Sequence, residues 1–224
     1  MSIPHNKANI VVPVTDSTSL RQIAHSSGST PWDIVEIRVD RIPEIHQFIP
    51  DISAIPAPII LTCRHPDEGG SNDLYSPERR SDMLEPLIPH AAAIDIEIAN
   101  AAEMHETINL ARLSGLTVIL SFHDFTTTPD DRQLQDIIKE GIAKKSDLIK
   151  IATTTDNPTQ LCRLLSLFST PSDKPLALMG MGKLGMASRL IAAQSGSVLN
   201  YAAMDKATAS GQWPVEEFRN LIER

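Results

Sequence analysis

Eight short apolar runs punctuate the chain, at residues 10–14, 34–39, 58–63, 93–98, 117–122, 148–152, 176–179 and 198–202. Each has the length and branched-residue content of a strand buried on both sides. The segments between them carry helical periodicity and start signals. Ser76-Pro77-Glu78, Thr128-Pro129-Asp130, Asn157-Pro158 and Trp213-Pro214 each read as an N-cap with proline at the first helical position. Gly115 reads as the stop of a helix over residues 103–114. Strands alternating with helices call for a parallel sheet with helical crossovers. Eight such units in 224 residues predict an α/β fold, a (β/α)8 TIM barrel, spanning residues 1–224 as a single catalytic domain. A doubly wound open sheet is the competitor, but it places a glycine-rich turn after its first strand. Here that stretch reads Val12-Pro13-Val14-Thr15-Asp16-Ser17, without glycine.

A barrel strand turns alternate residues toward its helices and toward its interior. Val35, Ile37 and Val39 form one set, so Glu36 and Arg38 point inward. By the same alternation Arg64 faces inward with Thr62, Asp95 with Glu97, His123 with Ser121, and Lys150 with Ala152. Taken singly, each has a plain structural explanation: an ion pair, a capping histidine, an edge lysine with its head in water. Together they place ionisable groups from consecutive strands in one interior, where an unpaired charge costs several kcal/mol. A barrel tolerates that cluster at its C-terminal mouth, where barrel enzymes keep their active sites. A lysine on an apolar strand can also lose its proton and act as an amine nucleophile.

The net charge of −8 argues against nucleic acid and acidic membrane surfaces as partners. No apolar run reaches the roughly 18 residues of a membrane span. The opening Met1-Ser2-Ile3-Pro4-His5-Asn6-Lys7 has no apolar core and does not read as a signal peptide. Cys63 and Cys162 then read as two reduced thiols in a cytoplasmic protein. No spacing of His, Asp, Glu or Cys suggests a metal site. The turn Met179-Gly180-Met181-Gly182-Lys183-Leu184-Gly185 fails the P-loop pattern, because Leu184 stands where Ser or Thr follows the lysine. Its glycines remain a candidate barrel phosphate site. Arg189, four residues on, can clamp an anion with a planar fork.

Seven motifs occur in order: Glu36-Ile-Arg-Val-Asp40, Thr62-Cys-Arg64 with Glu68-Gly-Gly70, Asp95-Ile-Glu97, Phe122-His-Asp-Phe125, Lys150-Ile-Ala152, Met179-Gly-Met181 with Ser188-Arg189, and Ala209-Ser-Gly-Gln212. As an ordered set, from Asn9 to the end of the chain, they resemble type I 3-dehydroquinate dehydratase, the Schiff-base dehydroquinase of the shikimate pathway. The resemblance implies a (β/α)8 barrel, usually a homodimer, with no metal and no organic cofactor. It implies that Lys150 forms the imine with the substrate ketone and that His123 transfers protons. Arg189 would hold the substrate carboxylate, and Glu36, Arg38, Arg64 and Gln212 its hydroxyls and carboxylate. Met179 and Met181 would pack beside the ring, with Thr208 in the binding segment, and Glu68 would orient His123. Three departures stand out. Pro13 replaces a common serine, Tyr201 a common phenylalanine with a supporting role, and Thr208 a serine. The N-terminal hairpin that closes the barrel floor in longer relatives is missing, which predicts a more open floor.

The chemistry follows from the residues as well. Loss of water beside a carbonyl needs a carbanion-like intermediate, and an iminium on Lys150 is an electron sink for it. His123, with an ordinary pKa near 6.5, can take the α-proton and return one to the leaving hydroxyl. Arg38, Arg64 and Arg189 give an acidic protein a local field suited to the small anionic substrate 3-dehydroquinate, and their charge disfavours a further cation at Lys150. Two alternatives stay open: a Schiff-base aldolase, which needs a firm phosphate site near Gly182 and Gly185, and a non-catalytic barrel that binds a small acid. Residues 206–212, small and polar, read as a lid that carries Gln212 inward.

Overall fold

The computed structural model describes residues 3–223 apart from Pro171 and Asp205. The first two residues of the opening stretch, and the last of the expected 1–224 domain, therefore lie outside the described residues. The strands are β1 (Asn9–Val14), β2 (Ile34–Arg38), β3 (Ile59–Thr62), β4 (Ala93–Glu97), β5 (Thr117–Asp124), β6 (Leu148–Thr154), β7 (Leu176–Met181) and β8 (Leu199–Tyr201). The helices are α1 (Ser17–Ala24), α2 (Ile49–Ala54), α3 (Pro77–Leu84), α4 (His105–Leu113), α5 (Asp131–Ala143), α6 (Pro158–Ser166), α7 (Gly185–Ser195) and α8 (Val215–Ile222).

All eight strands lie parallel in one sheet, in the order β7-β6-β5-β4-β3-β2-β1-β8. The two outer strands meet at a seam. Val198 donates its N–H to the Leu176 carbonyl (3.0 Å), and Leu178 donates to the Ser197 hydroxyl (3.1 Å). The sheet is thus a nearly closed (β/α)8 barrel, as the eight runs predict.

Two apolar clusters follow the strand alternation. The larger lies between sheet and helices and takes Val35, Ile37, Leu61, Ile94, Ile96, Leu120, Ile149, Ile151 and Leu178. The smaller fills the interior with Val11, Ile34, Ile60, Ile119, Leu148, Ala177, Met179, Met181, Leu199 and Tyr201. Ile3 joins the inner cluster and is only 5% exposed. That cluster also holds residues at the N-terminal ends of the strands, among them Ile34, Ala92, Ala93 and Leu148. The segment before β1 thus contributes one buried side chain to the inner cluster. Pro13 shares the inner face with Val11 and puts no polar atom there.

Helix starts follow the local signals, with two shifts. Ser76 and Asn157 cap α3 and α6 with proline at the first turn, as expected. Helix α5 starts later than Thr128-Pro129 suggests, because Asp130 is the N-cap and forms a reciprocal capping box with Gln133. Thr128 is instead buried, its hydroxyl on Thr153 Oγ1 (2.9 Å) and the Thr154 carbonyl (2.6 Å). Pro214 occupies the N-cap of α8 rather than its first turn. Strands β5 and β6 run past their apolar runs, to Asp124 and Thr154, so His123 belongs to a strand and its position is fixed by the ladder.

Candidate active site

The inner face of the barrel changes character along its axis. Its lower levels are apolar. Above them, Glu36, Thr62, Asp95, Glu97, Ser121 and Lys150 are all buried. Register accounts for the layering. Arg38 pairs with Thr62, Thr62 with Asp95, Glu97 with Ser121, and Ser121 with Lys150 across successive strands. A cavity of about 630 Å³ opens over this layer and is lined by Glu36, Arg38, Arg64, Glu68, His123, Lys150, Met179, Met181, Arg189, Tyr201, Thr208 and Gln212. Every candidate from the sequence therefore meets at one mouth. The volume suits a small acid.

Lys150, 4% exposed, places Nζ 2.8 Å from Asp95 Oδ2, 3.2 Å from the Tyr201 hydroxyl and 3.5 Å from Glu36 Oε1. Nζ also lies 4.5 Å from the Tyr201 ring centroid. Its ion-pair partners among the described residues are thus two carboxylates, Asp95 and Glu36. Burial opposes the charge of Asp95, but Arg64 and Lys150 outweigh burial and hold its carboxyl well below the usual range.

Arg64 is fully engaged. It meets Asp95 at 2.9 Å and Glu97 at 2.8 Å, and donates to the Ser121 hydroxyl at 2.6 Å. Burial lowers its pKa, and the two carboxylates more than reverse this. Glu97 is anchored from outside the barrel wall by Arg80 of α3, which also donates to the Cys63 carbonyl. Arg38 is clamped by Asp40 through two bonds of 2.9 and 2.8 Å.

His123 and Glu68 form a second unit. Glu68 Oε2 lies 2.8 Å from Nδ1 of the ring and accepts the His123 backbone N–H at 2.9 Å. One carboxyl thus fixes both ring and backbone. Burial pushes Glu68 up to about 8. Burial, with Arg64 and Lys150 adding to it, pushes His123 well below 6.5. Burial thus pushes both groups toward their neutral forms, and with Glu68 on Nδ1 the other ring nitrogen, Nε2, has no partner among the described residues. The loop that delivers Glu68 depends on glycine. A Cβ at Gly70 would stand 1.8 Å from the Arg64 carbonyl, and one at Gly69 would stand 2.8 Å from the Phe125 ring. Arg41 closes the same loop by donating to the Gly69 carbonyl at 2.9 Å.

Arg189 differs from the other arginines. It is 2% exposed, donates Nη1 to the Tyr201 carbonyl at 3.1 Å, and leaves Nε without a partner. Among the described residues no carboxylate pairs with it, and burial lowers its pKa to about 10. A buried guanidinium in that condition is a ready anion site. Gln212 turns back on its own loop, with Oε1 accepting the Thr208 N–H at 2.7 Å and Nε2 donating to the Thr208 hydroxyl at 3.0 Å.

The turn after β7 does not form a phosphate cradle. Lys183 donates its N–H to Asp156 Oδ1 at 2.8 Å, and Gly182 donates to the Ser210 hydroxyl at 2.9 Å. A carboxylate already occupies that loop, which removes the feature the aldolase reading requires. No group of three His, Cys, Asp or Glu among the described residues could hold a metal ion. No helix of the described residues is long and apolar enough to cross a membrane.

Arg41 and Phe125 at the mouth, Asp95 as the direct partner of Lys150, and Arg80 behind Glu97 were not assigned from sequence. Phe125 closes the fourth quoted motif, and Asp95 was visible as an inward acid. Arg80 sits in a polar helix start, Pro77-Glu78-Arg79-Arg80-Ser81-Asp82, where nothing separates it from its exposed neighbour.

The model of the family described as type I 3-dehydroquinase matches residues 9–223. The 3-dehydroquinate dehydratase of Latilactobacillus sakei is 34% identical over 200 residues, covering 85% of this chain and 82% of that protein. Its counterpart in Aquifex aeolicus is 30% identical over 220 residues, covering 96% and 97%. Among solved structures, a type I 3-dehydroquinate dehydratase from Clostridium difficile, with covalent modified comenic acid, matches with a TM-score of 0.88 and 26% identity, over 100% of this chain and 94% of that one.

Proposed function

The chain belongs to the type I 3-dehydroquinase family, and we propose that it acts as a 3-dehydroquinate dehydratase, a carbon–oxygen lyase, through an imine on Lys150 with His123 moving the protons. The observation that carries this reading is Lys150 itself, a buried lysine on an inner strand face, open to a cavity and held by Asp95, Glu36 and Tyr201.

The amine of Lys150 adds to the substrate ketone, and water leaves to give an iminium. That cation draws electrons from the adjacent carbon and makes its proton removable. His123 takes this proton at Nε2, the ring nitrogen left free by Glu68 on Nδ1. The resulting enamine expels the β-hydroxyl, which accepts the proton back from His123 and departs as water. Hydrolysis of the remaining iminium releases 3-dehydroshikimate and restores Lys150. The neutral state of the His123–Glu68 pair suits a base that must accept a proton before returning it.

Arg189 holds the substrate carboxylate, which supplies the partner its fork lacks. Arg38 and Glu36 face the hydroxyls. Arg64, already shared between Asp95 and Glu97, contributes field rather than a free fork. Met179 and Met181 pack beside the ring. Gln212 and Thr208 close over substrate, with their mutual bonds exchanged for bonds to it. The working form is a cytoplasmic homodimer that needs no metal or organic cofactor. The test is turnover of 3-dehydroquinate to 3-dehydroshikimate by the purified chain. Absence of turnover by a folded protein would leave the small-acid-binding barrel as the better reading.

A further inference from the structure

The ring of Tyr201 belongs to the inner apolar cluster, yet its hydroxyl lies within hydrogen-bond reach of both Lys150 and Glu36. It is 2.9 Å from Glu36 Oε1 and 3.2 Å from Lys150 Nζ. The direct separation between Nζ and Oε1 is 3.5 Å. Donor and acceptor roles here are forced. A carboxylate only accepts, so the phenol donates its single proton to Glu36 and accepts one from the Lys150 ammonium. Thr62 donates to the same Oε1 at 2.9 Å, a second bond that fixes the carboxylate.

We infer that the hydroxyl of Tyr201 carries a proton from Lys150 to Glu36 as the imine forms, a step that rests on the Schiff-base reading above. The ammonium proton passes to the phenol oxygen while the phenolic proton passes to Glu36. Lys150 becomes an amine, Glu36 becomes a carboxylic acid, and Tyr201 ends as it began. The amine lone pair then forms the C–N bond as the carbonyl electron pair moves to oxygen. Ammonium plus ketone gives iminium plus water overall, so the proton held on Glu36 leaves in that water and the step balances.

Asp95 is closer to Nζ but is the poorer acceptor, because Arg64 and Lys150 hold it ionised. Tyr201 does not ionise along the way. Burial, then Glu36 and Asp95, raise its pKa well above 10 despite Arg64, so it gives up one proton only as it takes another. The charged and titratable groups around the hydroxyl are Glu36 of β2, Arg64 after β3, Asp95 of β4, Lys150 of β6 and Arg189 of α7.

The test is Tyr201→Phe, which removes one oxygen and keeps the ring that lines the cavity. Single-turnover mixing with 3-dehydroquinate, quenched by borohydride at set times, gives the rate at which adduct mass appears on Lys150. Because the 3.5 Å route from Nζ to Glu36 survives, the expected slowing is about 10- to 100-fold, below the full range of a lost acid–base group. Affinity for product stays within about twofold of wild type. Glu36→Gln slows the same step, and the double variant is no slower than the worse single one, because both act in one relay. Adduct formation at the wild-type rate in Tyr201→Phe, or additive losses in the double variant, overturns the inference. No adduct in the wild-type protein is a different failure, because it removes the imine and with it any role for the relay.

Discussion

Arg189 is asked to hold the substrate carboxylate, and its surroundings put numbers on that role. Burial lowers its pKa from 12.5 to about 10, which corresponds to about 3 kcal/mol by which the fold disfavours the charged form. The guanidinium is charged in both folded and unfolded chains at pH 7, so this cost is present throughout the neutral range. It is relieved only as pH rises from about 10 toward 12.5. Replacing Arg189 by methionine, similar in reach and uncharged, removes the cost. It also removes the bond to the Tyr201 carbonyl, worth about 1 kcal/mol. The net expectation is a gain of about 2 kcal/mol in stability, or a Tm higher by about 4–8 °C for a chain of this size. Activity moves the other way. A substrate carboxylate left buried without its partner costs about 2–5 kcal/mol, which lowers kcat/KM by roughly 30- to 5000-fold. Thermal unfolding and steady-state turnover, measured on one preparation of Arg189→Met, read both. Unchanged kcat/KM would place the carboxylate elsewhere. A lower Tm would show that Arg189 is a structural arginine whose partner is already in the fold.

Three further outcomes follow from the same geometry. His123→Ala keeps the amine and so still forms an adduct on Lys150, while turnover falls by at least about 10²–10⁴-fold; near-normal turnover would remove His123 from the chemistry. Glu68 has its folded pKa raised to about 8 from 4.5, so its ionisation destabilises the fold progressively across that window. The stability advantage of Glu68→Gln over wild type, from denaturant midpoints, therefore grows from pH 4.5 to 8, and an advantage that grows toward acid would contradict this. Hydrogen exchange in residues 206–212 slows when a substrate analogue binds, because Gln212 trades its bonds to Thr208 for ligand; equal protection with and without ligand would make the segment an ordinary turn.

The barrel was legible because both of its periods are written in the chain. The apolar runs mark the strands, and the alternation within them separates Val35 and Ile37 from Glu36 and Arg38. A period of two assigns a face. It does not say which inward residues touch. In register, Lys150 of β6 follows Ser121 of β5 and Glu97 of β4, with Asp95 two residues below that row, and the 2.8 Å contact between Lys150 and Asp95 exists only once the sheet curls into a barrel. The same curvature brings Arg64 onto Asp95 and Glu97, a pairing that alternation along single strands does not specify. Arg80 was invisible for another reason: it enters from a helix, where strand alternation carries no information.

The central claim is the imine on Lys150, and the measurement that tests it most directly is mass spectrometry of the intact and digested protein after borohydride reduction with 3-dehydroquinate. The expected result is one adduct of the reduced substrate–lysine mass per chain, on the peptide containing Lys150, and none in Lys150→Ala. An unmodified protein that still turns over substrate, or an adduct on Lys183 or Lys206 instead, would contradict the account.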